Sequence, residues 1–426
     1  MSNQIIVNNS YSASGLTPQK ERFLREEIAQ LKKQIRDLID KNSGPNPPIT
    51  TITTLGVVQQ SGSTPLKIRL KSTGGSFSPH QLTAIAKTAS NYGQGLLVLT
   101  SRQEIDIPFI ATEHIPATLE HLLFQGIDIS GNTHNILNIT NPEDAGTSFQ
   151  EKFDTTPHVL ALNRILNHPS SPTLFPPGLR IGFAGDYRDN SLARYNDIGF
   201  IATTREGKRG FRVFIGGSPY PAPTPGYLLS GFLEETEILY VIKTIKRILA
   251  ENKEIIPKNA LNLRSVINHL GREKAFKLFS FYYPDIKQEK NYLLDSKELS
   301  PSPSTPLKPG NINFPLLSRH WVYRYVRDQK QSGLFSVELP LPEGNISSSN
   351  LIRLAEFLTP LGEDNIRMSV HRNFFLRNIP GEQLLPLQGL LKDISSQNDE
   401  NEEISPLALN GHKILERIRK TGSAGT

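Results

Sequence analysis

Two stretches of the chain carry one pattern at a fixed separation. Laid over each other without gaps from Gly75 and Gly344 (344 − 75 = 269), Leu82 meets Leu351, Ala86 meets Ala355, Gly93 meets Gly362, Thr100 meets Ser369 and Ile110 meets Ile379. Identities are few, but an apolar helix face, a glycine and two strands stay in phase over about 36 positions, the mark of an internal repeat. A duplicated unit has to fold twice and bury the face that neither copy covers alone, so the repeat constrains both ends of the chain. In the first copy, residues 66–70 predict a strand and residues 79–90 a helix with Leu82, Ile85, Ala86 and Ala89 on one side. Residues 95–100 and 105–110 predict two further strands around Ser101-Arg102-Gln103, which makes a small α+β unit.

Between the copies, residues 175–229 hold short apolar runs (180–183, 198–202, 211–215) separated by Gly, Asn, Asp and charged residues, as consecutive buried strands joined by turns would. The stretch predicts a β-meander. Arg180, Arg188, Arg194, Arg205, Lys208, Arg209 and Arg212 crowd it, and Gly216-Gly217 lets backbone approach a neighbour or ligand closely. Helices are expected at 154–167, 234–252 and 262–276, and Pro301, Pro303, Pro306 and Pro309 stiffen a linker over 299–310.

The N-terminal region predicts a polar, disordered start at 1–14, then a charged helix over 17–41. Its Leu24, Ile28, Leu31, Ile35 and Leu38 alternate steps of four and three. Such a seam suits either packing on the chain's own domain or self-association as a coiled coil. NSGPNPP at 42–48 ends the helix. The resulting division is 1–50 start and helix, 51–125 first unit, 126–290 middle domain, 291–313 linker, 314–395 second unit and 396–426 tail. No apolar run reaches 18 residues and the start lacks an apolar signal core, so a cytoplasmic protein without a membrane span is expected. The net charge of +6 favours anionic partners in general. No phosphate-cradling G-x-x-x-x-G-K loop, HExxH helix or nucleophile elbow occurs, and no nucleic-acid partner is expected. The absence of cysteine excludes disulfides, thiolate catalysis and an iron–sulfur cluster held by this chain's own thiolates.

The motifs LRIGFAG (179–185), NDIGFIA (196–202), RGFRVFIGG (209–217) and TPGYLL (224–229) together resemble the sirohaem and iron–sulfur domain of the nitrite and sulfite reductases. The resemblance covers residue 51 to the C-terminus. It implies an α+β fold of two ferredoxin-like half-domains plus a mixed α/β domain of the nitrite/sulfite reductase type, with the N-terminal helix added. It also implies sirohaem, a 4Fe-4S cluster, and six-electron reduction of a small oxyanion. Sirohaem carries eight carboxylates, so its pocket calls for many cations, with Arg suited to bidentate pairing. Arg102 and Gln103 match the family's Thr-x-Arg-Gln, whose arginine serves anion and sirohaem, and Arg180 matches the second lysine of its Arg-Lys-x-Lys. His134 stands where the family has a substrate arginine, and Gly178 replaces the first lysine of that stretch. In the second repeat His371 is in register with Arg102, with Arg367 and Arg372 on either side.

The candidate catalytic set is therefore Arg102, His134 and Arg180, and the cofactor set Arg102, Gln103, Arg180, Arg209, Arg367 and His371. Arg188, Arg194, Arg205 and Arg209 read as a solvated rim, of which Arg209 is carried in the cofactor set. Asn196-Asp197 and Gly216-Gly217 match family positions that hold turns. Asp186 and Asn190 stand where the family's cluster-bearing repeat has Cys-x-x-x-Cys; Asp186 and Asp189 would suit a hard metal, but Arg188 between them argues for surface pairing. Ser423-Ala424-Gly425-Thr426 resembles the first four positions of the family's Cys-x-Gly-Thr-x-x-Cys, or is a flexible tail. Two functions follow from the resemblance. One is the N-terminal part of a sirohaem-dependent nitrite or sulfite reductase, with a Cys-bearing second subunit supplying the cluster and a ferredoxin-like or other donor supplying electrons. The other is a non-catalytic relative that binds a tetrapyrrole or a partner protein.

Overall fold

The computed structural model describes residues 16, 18–40, 55–60, 63–130, 138–166, 179–189, 191–219, 223–254, 256, 262–299 and 317–394. His134, Gly178, Asn190, the start, the 42–48 stretch, residues 300–313 of the second linker and the tail lie outside the described residues, as does the side chain of Leu38.

Helix α1 (Pro18–Asp40) buries Leu24, Ile28, Leu31 and Ile35 in the core of the first unit, lying along α3 (Ile115–Phe124). Lys20 bonds Asp128 at 2.5 Å and Lys32 faces Glu120 at 3.6 Å. The seam that would have joined two copies of the helix is thus taken up by the chain's own core. No described helix is long and apolar enough to cross a membrane.

The first unit runs β1 (Val57–Gln60), β2 (Ser63–Lys71), α2 (Pro79–Tyr92), β3 (Leu96–Leu99), β4 (Glu104–Ile110) and α3. Helix α2 starts on a capping box: the Ser78 hydroxyl accepts from the Gln81 N–H, and the Gln81 amide answers on the Ser78 N–H. Alternation along β2 sends Leu66, Ile68 and Leu70 into the core and leaves Lys67, Arg69 and Lys71 on the outer face.

The middle domain follows with β5 (Asn138–Thr140), α4 (Thr156–Leu166), β6 (Arg180–Ala184), β7 (Ile198–Arg205), β8 (Lys208–Ile215), β9 (Tyr227–Glu234), α5 (Ile238–Glu251), α6 (Leu263–Leu270) and α7 (Arg272–Glu289). Its sheet has the order β5-β6-β7-β8-β9. Only β7 to β9 form the expected meander, because β5, β6 and β7 are parallel. A parallel pair needs a crossover, and the chain between β6 and β7 supplies it, its described residues 185–189 and 191–197 holding turns and one 3-10 turn at Ala193–Tyr195. The helix expected over 262–276 is two helices, since Gly271 at φ 83° leaves the helical region between α6 and α7. Phe183, Phe200 and Phe211 form the centre of this core, the first two stacked with centroids 5.1 Å apart.

The second unit contains α8 (Arg319–Tyr325), β10 (Val326–Asp328), β11 (Leu334–Leu339), β12 (Asn345–Ser347), α9 (Ser348–Leu358), β13 (Ile366–Met368), β14 (Phe374–Pro380) and α10 (Leu384–Ile394). At the offset of 269 it reproduces the first in detail. Ser347 caps α9 as Ser78 caps α2, and the left-handed backbone at Gln103 and Phe109 recurs at Arg372 and Asn378. The register slip opposite Leu66/Ile68 recurs opposite Phe335/Val337.

The two half-domains pair through their sheets, each lending a short segment to the edge of the other's. Strand β12 pairs with β3, Asn345 opposite Val98, and Ser76 bridges Arg367 of β13, which is the same pairing under the repeat. Both half-domains and α1 share one continuous core, in which α2 lies on α9 and the Ser90 and Ser348 hydroxyls meet at 2.8 Å.

Candidate functional site

The site lies where the end of β2, the β3–β4 turn, β5 and the start of β6 converge. The turn is built locally: the Thr100 hydroxyl accepts from the N–H groups of Arg102 at 3.3 Å and Glu104 at 3.2 Å. Gln103, between them, is left-handed at φ 58° and only 1% exposed. That geometry turns its side chain away from solvent. Its amide nitrogen donates to the carbonyls of Asn141 (2.7 Å) and Met368 (2.8 Å), and its amide oxygen accepts from the Asn141 N–H (3.0 Å). One side chain therefore ties together the first repeat, the middle domain and the second repeat.

Arg102 and Arg180 are joined through Asn138. The Asn138 side chain donates to the Arg102 carbonyl at 3.0 Å, and Asn138 is the parallel partner of Arg180. Below them Asp197 accepts from the Arg180 N–H at 3.0 Å and the Leu263 N–H at 2.6 Å. Burial pushes the Asp197 carboxyl up; these hydrogen bonds and the charges of Arg180 and Arg102 oppose the rise. Lys71 stands opposite Glu104 across β2 and β4. Burial pulls its ammonium down to about 7, aided by the charge of Arg102 and opposed by Glu104 and Asp128. Next to it Arg69 grips Asp106 through two bonds of 2.7 and 2.8 Å.

The remaining candidates are elsewhere. Arg209 is the second residue of β8, opposite Thr204, whereas Arg180 begins β6 level with the other end of β7, about 20 Å away along the strands. There Arg209 bonds Glu235 at 2.8 Å, and Glu235 also bonds the buried His158 at 3.0 Å. Arg367 is 3% exposed and turned to Asp364, the Ala145 carbonyl and Thr156, while Arg377 beside it bonds the same carbonyl at 2.7 Å. These two arginines hold the middle domain to the second repeat. His371 is exposed in the turn that corresponds to that of Arg102. Asp186 pairs with Arg188 at 2.6 Å, and no group of His, Asp or Glu among the described residues could hold a metal.

The structure therefore unites Arg102, Gln103 and Arg180, and adds Lys71, Asn138 and Asp197. Lys71 was legible in the alternation of Lys67, Arg69 and Lys71 with Leu66, Ile68 and Leu70; the contact made by Asn138 had no signal in sequence.

Comparison with known proteins bears on the fold and the family. The family model described as the nitrite and sulphite reductase 4Fe-4S domain matches residues 132–285, and the nitrite/sulfite reductase ferredoxin-like half domain matches both 58–125 and 327–394. The chain belongs to the nitrite and sulfite reductase family. The two half-domain matches of this reductase-family chain stand at the separation found in the repeat. Ferredoxin–nitrite reductase of Synechococcus elongatus is 26% identical over 325 residues, 74% of this chain and 59% of that protein. The chloroplastic ferredoxin–nitrite reductase of Zea mays is 24% identical over 74% of this chain and 54% of its own length. This family member thus spans little more than half the length of those curated relatives. The structure of the Mycobacterium tuberculosis NirA protein shares the fold, with a TM-score of 0.65 at 18% identity over 87% of this chain and 69% of that one.

The residues present can be tested against the family's two groups. A 4Fe-4S cluster does not fit, because the chain has no cysteine. A polycarboxylate tetrapyrrole fits better, since Arg102 of the β3–β4 turn and Arg180 of β6 both act on Asp197, and Lys71 of β2 is within electrostatic reach of Arg102.

The lowered Lys71 gives a pH test. An anion held there draws on a charge that Lys71 loses as pH rises past about 7. Affinity for a tetrapyrrole octacarboxylate, read by fluorescence quenching, is expected to fall from pH 6 to pH 8, and Lys71→Met to bind weakly with a flatter profile. An unchanged slope in Lys71→Met would remove the residue from the site.

Proposed function

We propose that the chain is the sirohaem-holding part of a nitrite or sulfite reductase, working with a cysteine-bearing partner that completes the cofactor site. The observation that carries this reading is the meeting of Arg102 and Arg180, from two separate segments, around Asn138 and Asp197, with Lys71 of a third segment within electrostatic reach of Arg102. Sirohaem, when bound, supplies the iron at which the oxyanion is reduced by six electrons. Arg102 and Arg180 hold carboxylates of the macrocycle or the anion, and their backbone is fixed by Asn138 and Asp197. Lys71, partly protonated near neutrality, is suited to hold a proton beside the anion. His134 is kept in the proposed set on the resemblance alone, as the position where the family has a substrate arginine. The relatives are named as ferredoxin-dependent, which supports a ferredoxin-like electron donor. The missing thiolates support the partner, and equally support the second reading of a non-catalytic tetrapyrrole or protein scaffold.

Absorbance titration of sirohaem into the full chain, alone and with a cysteine-bearing partner, tests the proposal. Arg102→Glu is expected to weaken binding by about 2–3 kcal/mol, or at least about 30-fold, at the low end for a charge pair because Arg102 is partly exposed. Lys33→Glu, on the exposed face of α1, should leave it unchanged. Equal affinity for wild type and Arg102→Glu would overturn the cofactor reading in favour of the scaffold.

A further inference from the structure

The loop of residues 141–147 bears directly on the second half-domain. Its Ala145 carbonyl accepts from Arg377 at 2.7 Å, its Gly146 carbonyl from the Gln331 amide at 2.8 Å, and its Thr147 carbonyl from the Lys330 N–H at 3.0 Å. In the middle of this contact is Glu143. Its Oε2 is buried and meets no hydrogen-bond donor among the described residues. The charged groups around it are Asp144 on its own loop, Glu338 on β11 and Arg327 on β10. Arg327 gives its Nη2 to Glu338 at 2.7 Å, and the Asn373 amide reaches the other Glu338 oxygen at 2.9 Å. The nearby cation is thus committed to Glu338, and an ionised Glu143 would stand between two carboxylates.

We propose that Glu143 is a proton-operated latch: uncharged, it lets the 141–147 loop lie against the second half-domain, and ionised, it loosens that contact. Burial first, then the charge of Asp144, push its carboxyl up to about 8, so the seated loop carries the proton through the neutral range. The sign follows from linkage. The folded chain binds this proton more tightly than the unfolded chain, whose carboxyl titrates near an ordinary ~4.3. Stability of the contact is therefore present at low pH, declines as pH rises between the two values, and is lost above about 8. Arg367 holds Thr156, and Gln103 holds the Asn141 and Met368 carbonyls, through bonds that do not involve Glu143, so the loosening is local to the loop rather than a parting of the domains.

Hydrogen exchange on the full chain, corrected for the intrinsic pH dependence of exchange, reads the latch at the Lys330 amide. Its protection is expected to fall about tenfold or more between pH 6 and pH 9 in wild type and to hold in Glu143→Gln. Glu338→Gln should move the midpoint of the wild-type loss to lower pH. A loss of equal size in wild type and Glu143→Gln, no loss in wild type, or an unmoved midpoint in Glu338→Gln would overturn the proposal. So would a loss that spreads equally to the β8 core amides, since that reports global unfolding.

Discussion

Replacing Gln103 with leucine is expected to cost the folded chain about 4 kcal/mol or more. The substitution keeps most of the volume and asks nothing new of the backbone, which is already left-handed with a non-glycine residue. What it removes is every partner in the junction. The Asn141 and Met368 carbonyls and the Asn141 N–H would be left buried without their bonds, at roughly 1–3 kcal/mol each. Gln103→Glu should be at least as damaging, because it sets a carboxylate against two carbonyl oxygens. Urea unfolding gives the magnitude, and exchange at the Asn141 amide locates the damage. A loss below about 1 kcal/mol in Gln103→Leu, with the Asn141 amide still protected, would show that the three-way junction does not depend on this side chain.

Gly217→Ala is expected to lower stability by about 3 kcal/mol or more, at the upper end of overpacking effects. A Cβ at this position would press into the Arg194 carbonyl and come within 2.5 Å of the Asn196 carbonyl and 2.7 Å of the Tyr195 carbonyl carbon. All three are backbone atoms, so no rotamer change relieves the clash. The same segment closes on Gly182 and Gly199: a Cβ at either would fall 2.9 Å from a backbone atom of Ala193. Three glycines from β6, β7 and the end of β8 thus make room for the crossover that keeps β6 and β7 parallel. Gly231→Ala in β9, where nothing lies within 4 Å of the new carbon, is the control and should stay within about 0.5 kcal/mol of wild type. Equal stabilities of Gly217→Ala and wild type in urea would show that the crossover can move aside.

These two residues also show what the sequence disclosed. Gly216-Gly217 was rightly read as a place of close backbone approach, but what approaches Gly217 is the chain's own 194–196 turn. Gln103 is picked out by its motif; its bonds to three backbone groups are invisible in sequence because two of those groups are 38 residues away and the third 265. The repeat was legible since helix faces and strand alternation are written in the side chains. The recurrence of left-handed backbone at Phe109 and Asn378 was not, because only the asparagine of the pair is a residue type that favours it. Arg209 shows the limit most plainly. It stands in the same stretch as Arg180, yet strand direction carries the two to opposite ends of one sheet. Composition over a window reports crowding in sequence, and only topology reports crowding in space.

The exchange of edge segments between the repeats has a consequence for how the chain is made. Strand β3 finds its last neighbour only when Asn345–Ser347 has been synthesised, about 250 residues later. At roughly 5–20 residues per second of translation, the first half-domain waits about 12–50 seconds with one sheet edge uncovered. The middle domain, with its own core, has time to fold within that interval. The order of synthesis thus favours a middle domain that is already in place when the second repeat arrives to close both sheets.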